Sequence, residues 1–268
     1  MLKTEMRNVN TMHIDKMSTE KMVEVLNQEN YNAVRAVEAV NKEISKAIDI
    51  ITESLSNGHR LFYIGAGTSG RLGVLDAVEC PPTYGVSPDT VVGILAGGEK
   101  CMFRSSEGAE DAAEAGVRDV ADVAEGDVLV GISVAGGAAY VVNALREAKR
   151  KGAYTIALTC NEDTKVAAEA DHAIVTDTGA EVITGSTRMK AGTAHKLVLN
   201  MLSTCAMVKT GKVYENMMVN LKPVNIKLTA RMIRIVCEVT GLEAGAAEKL
   251  LAENDWEIPA AIEAYRCR

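Results

Sequence analysis

Residues 61–73 read Leu-Phe-Tyr-Ile-Gly-Ala-Gly-Thr-Ser-Gly-Arg-Leu-Gly. The apolar run at 61–64 predicts a buried strand, and the residues from 71 to 79 predict a helix, so the glycines lie at a strand-to-helix turn. Backbone N–H groups at a helix N-terminus bind anions, and glycines let a ligand approach the main chain closely. This stretch therefore predicts an α/β fold with an anion site at its first turn.

The same alternation of strand and helix continues along the chain. Short apolar runs at 91–95, 128–132, 155–159 and 173–176 alternate with helical patterns at 109–123, 140–151 and 165–170. Such alternation is typical of βαβ units and a parallel sheet. Amphipathic helices are predicted over 18–56, one long helix over 186–209, and three short helices after 228. We therefore predict an N-terminal leader with helices (1–56), a central ligand-binding domain (57–222) and a small helical C-terminal domain (223–268).

Composition argues against several classes of function. The net charge of -7 and the pI near 5.3 disfavour a protein that wraps nucleic acid. The six cysteines are scattered without a CxxC pair or a histidine at metal-ligand spacing, so neither a zinc site nor a disulfide framework is indicated. The sequence shows no signal-peptide pattern and no window near ~20 apolar residues, which predicts a cytoplasmic protein without a membrane partner.

Two further segments repeat the chemistry of the first glycine-rich turn. Residues 131–137 form a second glycine-rich loop, and residues 184–190 start the long helix with hydroxyls and cations. Loops that follow the strands of an open parallel sheet converge on one crevice, which favours a compact phosphorylated ligand. Each loop alone is also consistent with ordinary turn and cap chemistry, and the cations with surface charges. The predicted ligand-binding residues are Gly67, Thr68, Ser69, Ser133, Ser186, Thr187 and Lys190.

The first loop has a second interpretation. Gly65, Gly67 and Gly70 match the GxGxxG pattern of dinucleotide-binding folds, with Glu99 as a candidate ribose ligand. Glu99 lies later than the usual offset of ~20 residues, and Thr68 and Ser69 add hydroxyl donors that many such loops lack. A nicotinamide-dependent oxidoreductase therefore stays an alternative that rests on the GxGxxG match alone.

Two glutamates are candidate acid–base residues. Glu79 precedes Cys80-Pro81-Pro82, and because a residue before proline avoids the α conformation, a helix is predicted to end at Glu79 or Cys80. The negative end of a helix dipole disfavours the carboxylate anion, which suits a general acid. Glu107 and Glu110 are predicted in the first turn of a helix, where the dipole favours the anion and suits a proton acceptor. Ordinary helix capping explains this second pattern as well.

The combination of motifs closely resembles the N-acetylmuramic acid 6-phosphate etherases. The residues that carry the resemblance are GAGTSGRLG at 65–73, DAVECPPTYG at 76–85, EGAED at 107–111 and AEVITGSTRMKAGTA at 180–194. With residues 4–15 and 197–204 it extends over nearly the whole chain. It implies the sugar isomerase (SIS) fold, an open parallel five-stranded sheet with flanking helices, together with a homodimer that has shared active sites.

The resemblance also implies a reaction. Such a carbon–oxygen lyase, a hydro-lyase type etherase, cleaves the D-lactyl ether at C3 of the open-chain sugar by elimination and then adds water. The products are N-acetylglucosamine 6-phosphate and D-lactate. The resemblance assigns the proton donor to Glu79 and the base for the C2 proton to Glu110, and adds Glu181 to the substrate-binding residues. It implies neither a metal nor a nicotinamide cofactor.

The chain departs from the family in its second loop. Residues 135–139 read Ala-Gly-Gly-Ala-Ala where the family usually has Ser-Gly-Arg-Thr-Pro. The loss of two hydroxyls and a guanidinium predicts weaker anchoring of the ligand, or a pocket enlarged for a different sugar. The related glucokinase regulatory proteins bind fructose phosphates as sensors. Retention of Glu79 and Glu110 favours the enzyme, whereas the altered loop favours a non-catalytic sugar-phosphate-binding regulator or an etherase-like lyase with an altered substrate.

Overall fold

Five parallel strands form the central sheet of the computed structural model, which describes residues 2–106 and 108–267. The strand order is β2-β1-β3-β4-β5. In the pairing register, Leu61 lies opposite both Val91 and Val128. The predicted α/β class with a parallel five-stranded sheet is confirmed. The strands are β1 Leu61–Gly65, β2 Val91–Leu95, β3 Val128–Ile132, β4 Tyr154–Thr159 and β5 His172–Val175.

Burial along the strands explains why these runs are so uniformly apolar. Every residue of β1 and β3 is buried, as expected of central strands that are covered on both faces. The edge strand β2 is only half-buried in its middle. The α-helices are α1 Thr19–Glu38, α2 Asn41–Ser56, α3 Gly67–Tyr84, α4 Lys100–Phe103, α5 Ala113–Asp119, α6 Ala139–Arg150, α7 Lys165–Glu169, α8 Lys190–Lys209, α9 Ile226–Thr240, α10 Ala244–Ala252 and α11 Ile258–Arg266.

The chain divides into two compact units whose limits differ from the predicted domains 1–56, 57–222 and 223–268. The first unit comprises Met1–Ala77 and Asp89–Ala206. The N-terminal helices belong to it because α2 packs against β1, β3 and β5. Three short 3₁₀ turns precede α1, at Lys3–Glu5, Val9–Thr11 and Ile14–Lys16.

The second unit comprises Val78–Pro88 and Met207–Arg268. It contains the three predicted C-terminal helices α9, α10 and α11, and a small hairpin whose strands are β6 Val213–Tyr214 and β7 Met217–Met218. The segment after the hairpin belongs here because Val219 and Leu221 are buried in one cluster with the apolar residues of these helices. The C-terminal part of this unit therefore starts at Met207, whereas the sequence predicted a C-terminal domain over 223–268.

The end of α3 corrects one prediction. The helix continues through Pro81 and Pro82 to Tyr84, instead of ending at Glu79 or Cys80. Prolines in a helix cost ~3 kcal/mol or more, but here they lie in the last turns, and the side chains of Cys80 and Tyr84 are buried at 2% and 8% exposure. We attribute the continuation to this burial. Glu79 therefore does not lie at the negative end of a helix dipole.

Two other helices begin later than predicted. Residues 109–123 form a 3₁₀ turn, Ala109–Asp111, and the short helix α5, because Ala112 has a non-helical ψ of 73°. Glu110 therefore lies on an isolated turn and not in the first turn of an α-helix. The long helix α8 starts at Lys190 rather than at 186.

Across residues 2–106 and 108–267, none of the helices has both the length and the apolar character needed to cross a bilayer.

Candidate active site

A pocket of about 330 Å³ lies where β1 and β3 end. In the strand order 2-1-3-4-5, β2 is added on one side of β1, and β3, β4 and β5 are added on the other side. The order therefore switches between β1 and β3, and open α/β sheets bind ligands in the crevice at such a switch point. The order differs from the 3-2-1-4-5-6 of dinucleotide folds, so the fold gives no support to the GxGxxG interpretation. The pocket is lined by Ala66, Thr68, Ser69, Leu72, Glu110, Asp111, Ile132, Ser133, Val134, Ala135, Gly137, Ala138, Thr187 and Gly192.

The first wall of the pocket depends on two glycines. A Cβ on Gly70 would lie 2.3 Å from the carbonyl oxygen of Gly65, and a Cβ on Gly65 would lie 2.6 Å from the nitrogen of Gly70. Only glycine therefore lets α3 start directly against the end of β1. This close turn brings Thr68 and Ser69 to the pocket in the first turn of α3.

The second wall offers mostly main chain. Ser133 is 7% exposed and supplies a hydroxyl, whereas Ala135, Gly137 and Ala138 bring no polar side-chain atom. Helix α6 begins at Ala139, directly after this wall. The wall therefore presents one hydroxyl beside the N-terminus of a 12-residue helix.

The third wall comes from the segment before α8 and from the first turn of α8. Thr187 and Gly192 line the pocket there. Helices α3 and α6 begin at the pocket with their positive dipole ends, an arrangement that favours a bound anion, whereas the first N–H groups of α8 are already bonded to Glu181 and Thr187. Among the described residues that line the pocket, none is a lysine, an arginine or a histidine. A phosphate here would be held by hydroxyls and backbone N–H groups.

Two predicted ligand-binding residues have structural partners instead. Lys190 is 1% exposed, and its Nζ lies 2.6 Å from Oε2 of Glu29. Glu181 is fully buried, and its carboxylate accepts the N–H groups of Lys190 at 3.1 Å and of Ala191 at 2.9 Å. Both side chains stabilise the start of α8, and neither lines the pocket.

Glu29 is a buried carboxylate that the sequence pattern did not single out. Burial opposes its ionisation, but hydrogen bonds from Lys190, Asn10 and Asn8 outweigh this effect and lower the pKa of Glu29. Asn8 donates to Oε2 at 2.7 Å and Asn10 to Oε1 at 2.8 Å. Glu29 therefore joins α1, the N-terminal segment and α8 in one polar network.

The candidate acid–base residues lie in different units. Glu110 lines the pocket in the first unit together with Asp111, which the sequence interpretation did not select. Glu107 lies outside the described residues. Glu79 is exposed on α3 and belongs to the second unit, whereas every lining residue belongs to the first.

Comparison with known proteins decides the family. Residues 43–149 match the glucokinase regulatory protein N-terminal SIS domain, and residues 107–204 match the SIS domain. The chain is 51% identical over 263 residues to an N-acetylmuramic acid 6-phosphate etherase of Clostridium beijerinckii, covering 97% of this chain and 86% of the relative. The chain belongs to the N-acetylmuramic acid 6-phosphate etherase family. This confirms the resemblance that the sequence motifs indicated.

Further comparisons agree with this family assignment. N-acetylmuramic acid 6-phosphate etherase 1 of Bacillus licheniformis is 45% identical over 293 residues, which cover 98% of this chain and 96% of the relative. A putative phosphosugar isomerase involved in capsule formation from Bacteroides fragilis superposes with a TM-score of 0.56 at 22% identity, covering 75% of this chain and 98% of that chain. At this identity the likeness concerns the fold alone, which is of the SIS type.

The pocket brings together half of the residues that the motifs predicted. Those that line it are Thr68, Ser69, Ser133, Thr187 and Glu110. Those that do not are Gly67, Ser186, Glu181, Lys190 and Glu79. Of these, Gly67 is exposed at the first residue of α3, and Ser186 donates its backbone N–H to the carbonyl of Ile183 at 2.9 Å.

Cys160, which follows β4, and His195 of α8 form a buried pair that does not line the pocket. Nε2 of His195 lies 3.4 Å from Sγ of Cys160, and both residues are fully buried. Burial lowers the pKa of His195 to about 4 and raises the pKa of Cys160 to about 12. Both groups are therefore neutral near pH 7.

Within residues 2–106 and 108–267, no cluster of three or more acidic, cysteine or histidine side chains is arranged to hold a metal ion.

Proposed function

We propose that this chain is a carbon–oxygen lyase of the hydro-lyase type that cleaves the D-lactyl ether of N-acetylmuramic acid 6-phosphate. The products are N-acetylglucosamine 6-phosphate and D-lactate. One observation carries the proposal: a chain of this family places Glu110 in the same pocket as four hydroxyl side chains and the N-termini of α3 and α6.

The pocket supports a sugar phosphate as the ligand. Its volume of about 330 Å³ lies within the ~300–1,000 Å³ range of small-molecule sites. Helix N-termini and hydroxyls bind phosphate oxygens without a lysine or arginine side chain. We assign the phosphate to the walls that contain Thr68, Ser69, Ser133 and Thr187, since the carboxylates of Glu110 and Asp111 would repel it.

The proposed chemistry begins at C2 of the open-chain sugar. Glu110 removes the C2 proton, which the neighbouring aldehyde makes acidic, and the electron pair expels the lactyl oxygen from C3. Glu79 donates a proton to that oxygen, and water then adds to C3 of the unsaturated intermediate while a proton returns to C2. General acid–base steps of this kind each contribute ~10²–10⁴-fold in rate. The proposed reaction uses neither a metal nor a nicotinamide cofactor.

We also propose a homodimer with shared active sites, as the family resemblance implies. Glu79 is exposed on its helix and is therefore accessible to a site that forms on assembly.

A second candidate function is a non-catalytic regulator that binds sugar phosphates. Two observations favour it. Residues 43–149 match the glucokinase regulatory protein N-terminal SIS domain. In the second wall, residues 132–138, Ser133 is the one lining residue with a polar side chain. An etherase-like lyase with an altered substrate is also compatible with this wall.

The deciding experiment measures D-lactate released from N-acetylmuramic acid 6-phosphate by the purified protein, with calorimetric binding of N-acetylglucosamine 6-phosphate in parallel. We expect continuous release of D-lactate, and release at least ~100-fold slower from unphosphorylated N-acetylmuramic acid, since the phosphate supplies binding energy to the transition state. Binding without lactate release would contradict the lyase and support the regulator. Release from another 6-phosphorylated sugar alone would identify an altered substrate.

A further inference from the structure

Hydrogen bonds to one backbone carbonyl group, that of Val134, fix the second wall of the pocket. The carbonyl oxygen of Val134 accepts hydrogen bonds from the N–H of Cys160 at 3.0 Å, from Oγ1 of Thr159 at 3.1 Å and from Nδ2 of Asn161 at 3.1 Å. Val134 is itself buried and lies between Ser133 and Ala135 of the wall. Three donors on one carbonyl fix the position of this wall.

Asn161 connects the wall to the N-terminal leader, which we define as residues 2–17. Asn161 is 4% exposed, and its Oδ1 accepts the N–H of Lys3 at 3.0 Å. Its Nδ2 donates to Val134 and also to Oγ1 of Thr4 at 3.2 Å. Both amide hydrogens are thus in use, one for the wall and one for the leader.

The leader also donates hydrogen bonds to the segment that precedes the third wall in the chain. Nδ2 of Asn8 donates to the carbonyl of Ala180 at 3.1 Å, and Oγ1 of Thr11 donates to the carbonyl of Val182 at 2.8 Å. These carbonyls flank Glu181, whose carboxylate accepts the first N–H groups of α8. The leader therefore joins the segments that support two separate walls.

We propose that Asn161 is a positioning residue of the sugar-phosphate site, and that the leader acts through it to set the spacing between the second and third walls. This inference rests on the proposed function. Asn161 does not line the pocket, so it acts through the Val134 carbonyl. Because these walls hold the phosphate and Glu110 lies on another segment, a displaced wall weakens binding more than it slows proton transfer.

The test uses isosteric changes at both ends of the link. Asn161→Asp keeps the acceptor for Lys3 but replaces the amide group that donates to both Val134 and Thr4 with a carboxylate oxygen. Thr4→Val removes the acceptor and keeps the shape of a fully buried side chain. The control is Thr52→Val, which removes a hydroxyl bonded at 2.7 Å to Ile48 within α2. Each variant is measured for the Kd of N-acetylglucosamine 6-phosphate, for KM and kcat of lactate release, and for Tm.

We expect Asn161→Asp to raise Kd and KM about tenfold, equivalent to ~1.4 kcal/mol of binding free energy, with kcat changed far less. Thr4→Val should raise Kd roughly threefold, Thr52→Val should leave Kd unchanged, and Thr4→Val should add nothing to Asn161→Asp because both act through one amide. A purely structural role would lower Tm without this split between KM and kcat.

The proposal is overturned if folded Asn161→Asp binds the probe like the wild type, or if Thr52→Val weakens binding as much as Thr4→Val does. If Asn161→Asp does not fold, Thr4→Val decides alone, and an unchanged Kd overturns the proposal. A wild-type protein that binds the probe but releases no D-lactate contradicts the lyase and leaves the Kd comparison intact. Absence of binding by the wild type overturns both.

Discussion

Breaking the buried ion pair between Lys190 and Glu29 should strongly destabilise the first unit. The side chains are 1% and 6% exposed, and the charged atoms lie 2.6 Å apart. Lys190→Met keeps an unbranched chain of similar length but leaves the carboxylate with only the amides of Asn8, Asn10 and Asn32. An uncompensated buried charge costs ~3–5 kcal/mol, so we expect a loss of about that size in the free energy of unfolding.

The matched control is an exposed ion pair in the same helix as Glu29. Lys21 and Glu24 are 53% and 59% exposed with their charged atoms 2.9 Å apart, and such pairs contribute only ~0–1 kcal/mol. Lys21→Met should therefore be nearly neutral. The assay is urea unfolding followed by far-ultraviolet circular dichroism. Adding Glu29→Gln to Lys190→Met should recover part of the loss, because the double variant buries no charge.

The pH dependence of this effect follows from the lowered pKa of Glu29. A carboxyl group whose folded pKa is depressed stabilises the protein above its unfolded pKa, for which 4.5 is the reference, and this stabilisation is lost as the pH falls through the folded value. The difference between wild type and Lys190→Met should be complete at pH 7 and narrow below about pH 4.5. A loss no larger than that of Lys21→Met at pH 7 would refute the argument.

Two further predictions test the second wall and the buried thiol. Gly136 has a φ of +73°, and a Cβ there would lie 2.2 Å from Cβ of Thr164, whereas a Cβ on Gly137 meets nothing within 4 Å. Gly136→Ala should therefore lower the free energy of unfolding by more than ~1 kcal/mol and Gly137→Ala should change it by less than that; equal melting temperatures would contradict the loop geometry. At pH 8, iodoacetamide should label the exposed Cys205 and Cys267 of the native protein but not Cys160, whose pKa burial raises to about 12. Mass spectrometry that finds Cys160 labelled as fast as Cys205 would show that the thiol is accessible.

The sheet and the hydroxyl residues of the first and second walls could be predicted from local patterns. Central strands buried on both faces are continuous apolar runs, so β1 and β3 are visible in the sequence at 61–64 and 128–132. The glycines and hydroxyls that follow these strands predicted Thr68, Ser69 and Ser133 as site residues, and all three line the pocket. Because the carboxyl ends of parallel strands meet at one edge of a sheet, this part of the site follows from strand order alone.

The remaining features depend on contacts between distant parts of the chain. Lys190 looked like a ligand for an anion, but its partner Glu29 lies 161 positions away in the chain, on α1. Local proline rules predicted the end of α3 at Glu79 or Cys80, whereas the helix continues to Tyr84, whose side chain is buried. Asn161 carries no sequence signal for its link to Thr4, since asparagine after a strand is common in turns. Tertiary burial and pairing decide these positions, and sequence spacing does not encode them.

The most direct test of the proposed chemistry is exchange of the C2 hydrogen of N-acetylmuramic acid 6-phosphate in deuterated water, followed by nuclear magnetic resonance. If Glu110 is the base and Glu79 the acid, Glu110→Gln should slow exchange by ~10²–10⁴-fold, whereas Glu79→Gln should keep exchange and slow the release of D-lactate. Equal exchange by the two variants would contradict the assignment of these roles.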